Sequence, residues 1–227
     1  MVMPEGLIKM LFTFVLLTAA LIITRRDMLG IITTYAAQSL LISAVAGILY
    51  ISGGSEMLLT IALLTLFSKV MLIPAIMKGI QRQIKIKRDV EFSYLSPTTA
   101  LAASMVMLLA VYALLSGVLE EFALSRIFIF GAVAGISLML MGMLVIFSRR
   151  QTITAIVGYL TMENGVVLMS LFLTELPLII EVLVVVDLIG IMLLAAILSF
   201  GISSDMEEFH QKLVRPFSAG NNRRGSR

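Results

Sequence analysis

The sequence predicts an all-helical membrane protein with seven transmembrane helices, and three observations support this fold class. The chain has 227 residues, of which 59% are hydrophobic and only 14% are charged. A soluble domain carries about 25% charged residues, so the composition excludes a soluble globular domain and a disordered chain. The apolar residues form runs of about 20, the length that crosses a bilayer. No strand-like alternation competes with these runs.

Charged or turn-forming residues separate the apolar runs. The expected spans cover roughly residues 7–24, 29–51, 57–77, 98–119, 123–147, 152–173 and 176–200. A secretory signal peptide is the alternative for the first run. Glu5 near its start, and Arg25-Arg26 after it without a small-residue cleavage site, favour a helix that stays in the membrane.

The basic residues predict the orientation. With seven crossings, most of the 17 Lys and Arg residues fall on one face, and Lys9 and Arg126 fall on the other. Because basic loops stay on the cytoplasmic side, we expect the N-terminus outside and the C-terminus in the cytoplasm of a multi-pass cell-membrane protein. The net charge of +3 then reflects topology and not nucleic-acid binding. The basic run at 78–88 is either an orientation signal or a contact for membrane lipid or a soluble partner.

The spans suggest four parts of the chain. Residues 1–96 form a three-helix part with a basic cytoplasmic loop, and residues 97–122 form a fourth helix. Residues 123–202 form a second three-helix part. Residues 203–227 are a polar cytoplasmic tail.

Three ionisable residues are expected near the middle of the membrane. They are Lys69, Glu163 and Asp187, and a fourth, Glu181, is closer to the outer interface. A charge in hydrocarbon costs several kcal/mol, so such residues indicate a functional or structural role. One hypothesis is a relay in which each group changes charge state in response to the other. The other is a fixed ion pair that holds two helices together.

Other polar residues are expected beside these charges. Tyr35 and Gln38 lie on the second span, and Tyr159 and Asn164 flank Glu163 on the sixth. They can hydrogen-bond across helices or orient a carboxylate, although plain helix packing explains Ser39 and Ser43 on the second span equally well.

Two features predict local helix geometry. The small-residue pattern Gly131-xxx-Gly135 favours close helix packing. Pro74 removes a backbone donor and predicts a kink just beyond Lys69.

The chain is poor in metal ligands. It has no Cys and one His, His210, in the polar tail. The lack of Cys excludes a cysteine-ligated iron–sulfur cluster and a thiolate site for nickel or zinc in this chain. We therefore expect no catalytic centre, cofactor or metal here, and any redox chemistry in other polypeptides.

The last three spans resemble the K-type subunit of complex I. The likeness lies in Arg149-Arg150-Gln151 and in the helix that contains Gly158, Met162, Glu163 and Asn164. Leu160 occupies the position of the family's buried Glu, and Glu163 follows three residues later. Three residues turn a helix by a net of about 60°, so this carboxylate still reaches the same region. Asp187 is the counterpart of the family's second buried acid.

Over residues 5–200 the chain resembles hydrogenase-4 component E. The motifs are Tyr35–Leu40, Lys69–Pro74, Gly158–Gly165 and Pro177–Gly190, in that order. The resemblance implies a membrane subunit of a group 4 hydrogenase complex such as formate hydrogenlyase. Partner subunits would be antiporter-like, complex I-like and soluble hydrogenase subunits, the last carrying nickel–iron and iron–sulfur centres.

Three functions remain open from the sequence. The first is a non-redox subunit whose Glu163, Asp187 and Lys69 take part in proton or sodium-ion translocation. The second is a structural adaptor that anchors antiporter-like subunits and the soluble arm. The third is an independent carrier or a retinal-type photoprotein with a Lys Schiff base, of which the photoprotein is disfavoured by the position of Lys69 on the third span and by the absence of Trp.

Overall fold

A computed structural model describes residues 5–83, 95–121, 126–149 and 152–172, together with Val186, Ile189, Gly190 and Met192. These residues are almost entirely helical and contain no β-strand. The all-helical fold class is therefore confirmed for the described part of the chain.

Seven α-helices and one π-helical segment make up the described chain. They are α1 (Glu5–Thr24), α2 (Met28–Ile51), α3 (Glu56–Thr65), the π-helical segment Leu66–Leu72, α4 (Ile73–Gln83), α5 (Pro97–Glu121), α6 (Arg126–Ser148) and α7 (Thr152–Ser170). The chain passes from α3 through the π-helical segment into α4 without a break, so these three elements form a single pass.

Five helical passes are long and apolar enough to cross a membrane. They are Glu5–Thr24, Met28–Ile51, Glu56–Gln81, Pro97–Gly117 and Arg126–Ser148. They correspond to the first five expected spans. The sixth expected span, residues 152–173, contains helix α7, which is not one of these five passes. The seventh, residues 176–200, lies almost entirely outside the described residues.

The third pass is longer than the sequence predicts. The expected break begins at residue 78, but α4 continues to Gln83. Lys, Gln and Arg are good helix formers, so a basic stretch can extend a helix beyond its apolar run. A break in hydrophobicity therefore did not mark a break in the helix.

A glycine turn sets the end of α2. Gly53 has a φ of 100°, which an L side chain rarely adopts. Its N–H donates to the carbonyl of Tyr50 at 3.1 Å, and the N–H of Gly54 donates to that of Leu49 at 3.1 Å. These are the two hydrogen bonds of a Schellman cap, and they close α2 before α3 begins.

Helix α2 lies at the centre of the bundle. It packs against α1, α3, the π-helical segment, α4 and α7. Helix α7 also packs along α6, and α1 packs against α5 and α6. A side chain on the inner face of α2 can thus reach elements from both halves of the chain.

Helices α1 and α6 run in the same direction. Near their starts, the Lys9 ammonium lies 5.3 Å from the centre of the Phe130 ring. At their ends, Arg149 bonds the carbonyl of Ile23. The loop after α1, with Arg25 and Arg26, therefore lies at the same end of the bundle as Arg149, and Lys9 lies at the other end.

Helices α6 and α7 pack backbone to backbone through two pairs of glycines. A Cβ added at Gly165 would lie 2.6 Å from the carbonyl oxygen of Gly135, and one added at Gly142 would lie 2.6 Å from that of Gly158. No side chain fits at such distances. The close packing that the Gly131-xxx-Gly135 pattern predicts is confirmed, with Gly135 at the contact and Gly131 against Phe172.

The outer face of α1 is apolar. Leu7, Met10, Phe14, Leu17 and Leu21 are 40–52% exposed and repeat every three or four residues. The opposite face, which includes Ile8, Phe12 and Val15, is buried. A helix with an apolar buried face and an apolar outer face is typical of a membrane span.

We expect Gly142→Ala to destabilise the protein, because the added Cβ meets the backbone of α7. Overpacking of this kind costs about 1–3 kcal/mol. The control is Gly47→Ala on α2, where nothing lies within 4 Å of an added Cβ. Alanine should be neutral or stabilising there. Thermal unfolding in detergent measures both, and equal unfolding temperatures for the two variants would contradict the glycine contact.

Candidate functional site

Lys69 lies in the π-helical segment. The N–H of Ile73 donates to the carbonyl of Ser68, five residues earlier, which is the spacing of a π-helix. Pro74 follows and has no N–H for the carbonyl of Val70 or of Lys69. The sequence places the distortion beyond Lys69. In the structure the widened turn contains Lys69 itself.

Lys69 and Glu163 form a buried ion pair. Nζ of Lys69 lies 2.7 Å from Oε1 of Glu163, and the side chains are 2% and 0% exposed. Within the described residues the other ion pair, Lys9 with Glu5, is exposed and longer, at 3.5 Å. Removing one member of a buried pair costs about 3–5 kcal/mol, because the remaining charge loses its compensation.

A network of side-chain amides lies on the same turn of α7. Nδ2 of Asn164 donates to Oε1 of Gln38 at 3.1 Å and to Oγ of Ser39 at 2.9 Å. Nε2 of Gln38 donates to the carbonyl of Val15 at 3.4 Å. The three side chains are completely buried, and they connect α7, α2 and α1. Oδ1 of Asn164 accepts no hydrogen bond from the described residues.

The polar face of α2 continues on both sides of this network. Tyr35 is completely buried one turn before Ser39. One turn after it, Oγ of Ser43 donates to the carbonyl of Ala62 on α3 at 2.9 Å. Ser39 and Ser43 therefore join α2 to two different neighbours, which agrees with their interpretation as helix-packing residues.

The chain after α7 passes beside Glu163. Oη of Tyr159 donates to the carbonyl of Val186 at 3.5 Å. A Cβ added at the buried Gly190 would lie 3.9 Å from Oε2 of Glu163. The predictions for Glu181 and Asp187 concern residues outside the described ranges and stay predictions.

Arg149 is a buried arginine that the sequence does not reveal as such. Its Nη2 donates to the carbonyls of Ile23 at 2.7 Å and Arg25 at 2.9 Å. Ile23 belongs to the last turn of α1, whose carbonyls have no helical partner, and a cation there is favoured by the helix dipole. Burial lowers the pKa of the Arg149 guanidinium from its usual value, and the nearby Arg26 lowers it further. In the sequence, Arg149 resembles any basic residue at a membrane surface.

The described residues do not supply a metal site. Across the ranges 5–83, 95–121, 126–149 and 152–172, no three His, Cys, Asp or Glu side chains converge. The chemistry that the site supports is that of one acid, one amine and a set of neutral hydrogen-bonding groups. Such a set can hold, exchange or neutralise charge.

Comparisons with protein-family models, with curated proteins and with solved structures found no match to this chain.

We expect Asn164→Leu to lower the free energy of unfolding by about 1–3 kcal/mol, because it leaves the buried Oε1 of Gln38 without a donor. The matched control is Thr161→Val, one turn earlier on α7 and equally buried, whose hydroxyl bonds only its own helix, at Val157. Chemical denaturation in detergent measures both variants. Equal stability losses would mean that the amide network does not hold the helices together.

Proposed function

We propose that this chain is a non-redox, multi-pass subunit of a membrane-bound, energy-converting group 4 hydrogenase complex, similar to formate hydrogenlyase. Its contribution is to ion translocation, through Lys69 and Glu163. The observation that carries the proposal is the ion pair of 2.7 Å between two side chains that are essentially inaccessible to solvent. Such groups are rare in membrane helices and mark ion pathways and proton relays.

The membrane location is supported by the five long apolar passes and by the apolar outer face of α1. We propose that α7 and residues 176–200 complete a bundle of seven spans in the cell membrane. The end of the bundle that holds Arg25, Arg26 and Arg149 would face the cytoplasm by the positive-inside rule. The N-terminus would then lie outside and the C-terminus inside.

The ion pair offers a simple means of moving charge. In an apolar interior the two opposite charges compensate each other. When a proton or a sodium ion neutralises Glu163, Lys69 loses its compensating charge, and this change can be passed on to the next group of the path. The π-helical segment carries Lys69, whose ammonium contacts Glu163 on α7, and Asp187 is the next acid in the proposed path.

The division of labour that the resemblance implies fits the composition of this chain. The chain has no Cys and a single His, so we assign the nickel–iron and iron–sulfur centres to soluble partner subunits. Antiporter-like and complex I-like membrane subunits are the proposed lateral neighbours. The motifs shared with hydrogenase-4 component E are the basis for naming these partners.

A structural adaptor is the second candidate function. The observation that favours it is the Asn164–Gln38–Val15 network, which ties three helices together and requires no moving ion. In this function the Lys69–Glu163 pair is a permanent link between the third pass and α7. The subunit would then hold its neighbours and the soluble arm in place without conducting ions.

We expect Glu163→Gln in the assembled complex to lower ion translocation strongly. Dye-linked hydrogen oxidation, which partner subunits would carry, should be largely retained. Ion uptake by vesicles containing the complex measures translocation, and dye reduction measures hydrogen oxidation. Glu5→Gln, which removes an exposed carboxylate of α1, is the control and should change neither.

Blue-native electrophoresis of the same Glu163→Gln membranes separates the two candidate functions. A complex of normal size that no longer translocates ions supports the relay. A complex that falls apart supports the adaptor, and normal translocation in an intact complex contradicts the role proposed for Glu163.

We also expect a nickel–iron subunit to copurify with the tagged full-length chain in mild detergent. Mass spectrometry of the purified material identifies it. A chain that purifies without any hydrogenase subunit under conditions where other membrane complexes stay intact contradicts the proposed assembly.

A further inference from the structure

A cluster of basic residues at one end of the bundle lies outside the proposed relay. Arg25 and Arg26 lie in the loop after α1, and Arg149 lies at the end of α6. Arg149 joins the two places, since its Nη2 bonds the carbonyls of Ile23 and Arg25. The end of α6 therefore meets the loop after α1, and Arg26 lies near enough to Arg149 for their charges to interact.

The charge of this cluster is only partly compensated. The side chains of Asp27 and Arg25 both lie over Gly30, so one carboxylate offsets one guanidinium. Among the described residues neither Arg26 nor Arg149 has a carboxylate within ion-pair distance. Arg149 is 6% exposed, and its Nη2 donates to two neutral carbonyls. The cluster retains an excess of positive charge.

Large apolar side chains border the cluster on the lateral surface. Leu21, one turn before Arg25, is 40% exposed, and Phe147, two residues before Arg149, is 64% exposed. Leu29, just after the loop, is 53% exposed. A soluble acidic partner would cover the charges and have no use for this apolar border. A phospholipid uses both, because its phosphate is anionic and its acyl chains are apolar.

We propose that Arg26 and Arg149, with Arg25, bind the phosphodiester of an anionic phospholipid at the end of α1 and α6. The acyl chains lie along Leu21 and Phe147. This inference uses the membrane location proposed above and is independent of the ion pair. Basic pockets between transmembrane helices on the cytoplasmic side are a known type of lipid headgroup site. A bound phosphate also gives the Arg149 guanidinium a counter-ion, which none of the described residues supplies.

The test uses the purified full-length chain in neutral detergent, titrated with fluorescent phosphatidylglycerol or phosphatidylcholine. We expect saturable binding of phosphatidylglycerol and much weaker binding of phosphatidylcholine. Arg26→Gln removes an exposed charge at the site and should weaken phosphatidylglycerol binding about fivefold, the effect of one basic residue near an anionic lipid surface. Arg149→Gln should weaken it at least as much.

Arg126→Gln is the matched control. Like Arg26→Gln it removes one exposed arginine, but this arginine lies at the start of α6, at the opposite end of the helix from Arg149. Its lipid affinity should equal that of the wild type. If Arg149→Gln does not fold, the comparison of Arg26→Gln with Arg126→Gln still decides the question.

Three results would overturn the proposal. Equal binding of the two lipids would show that the phosphodiester charge is not recognised. Equal weakening by Arg26→Gln and Arg126→Gln would show a general effect of surface charge. Full displacement of the lipid by millimolar inorganic phosphate would show a site for free phosphate and not for a lipid. The lipid titration uses the isolated chain. A negative result would therefore leave the proposed role of Glu163 in ion translocation untouched.

Discussion

Two opposite charges, those of Lys69 and Glu163, are held together in an apolar interior, and the surrounding helices are arranged around this pair. Either charge buried alone would strongly destabilise the protein, whereas the pair compensates much of the cost of burial. Their contact requires that the third pass and α7, nearly 100 residues apart in sequence, meet beside α2. The packing of the surrounding helices keeps Lys69 next to Glu163.

Helix α7 has two faces with different tasks. Gly158 and Gly165 lie on nearly the same side of the helix, and Glu163 lies about 140–160° away around the axis. The glycine side lets α6 approach to backbone contact, while the opposite side presents the carboxylate to Lys69. Asn164, on the flank between them, bonds α2. The position and rotation of α7 are therefore set from three directions, and a shift along α6 would break the ion pair.

Much of this architecture could be predicted from the sequence, because apolar runs of bilayer length are a strong local signal. The mid-span positions of Lys69 and Glu163 were evident for the same reason, since charge within such a run is exceptional. That the two touch was not evident. Their helices are connected only through tertiary packing, and hydrophobicity alone does not say which neighbour a given face meets.

Other features were missed for specific physical reasons. The π-helical turn differs from an α-helix by one hydrogen-bond register, and the sequence signal of Pro74 predicts a distortion without its type. Arg149 was indistinguishable from a solvated surface arginine, because its burial depends on the unpaired carbonyl of Ile23, more than 120 residues earlier. The Gly142–Gly158 contact depends on the register of the α6–α7 hairpin, which follows from backbone approach and not from composition.

A double-mutant cycle on Lys69 and Glu163 measures whether the two buried side chains interact. The free energies of unfolding are measured for Lys69→Met, Glu163→Gln and the double variant, with the exposed pair of Lys9 and Glu5 treated in the same way. We predict an interaction energy of about 1–3 kcal/mol for the buried pair and less than about 1 kcal/mol for the exposed one. If the two buried substitutions are additive within about 0.5 kcal/mol, the two side chains are not paired, and the account is wrong.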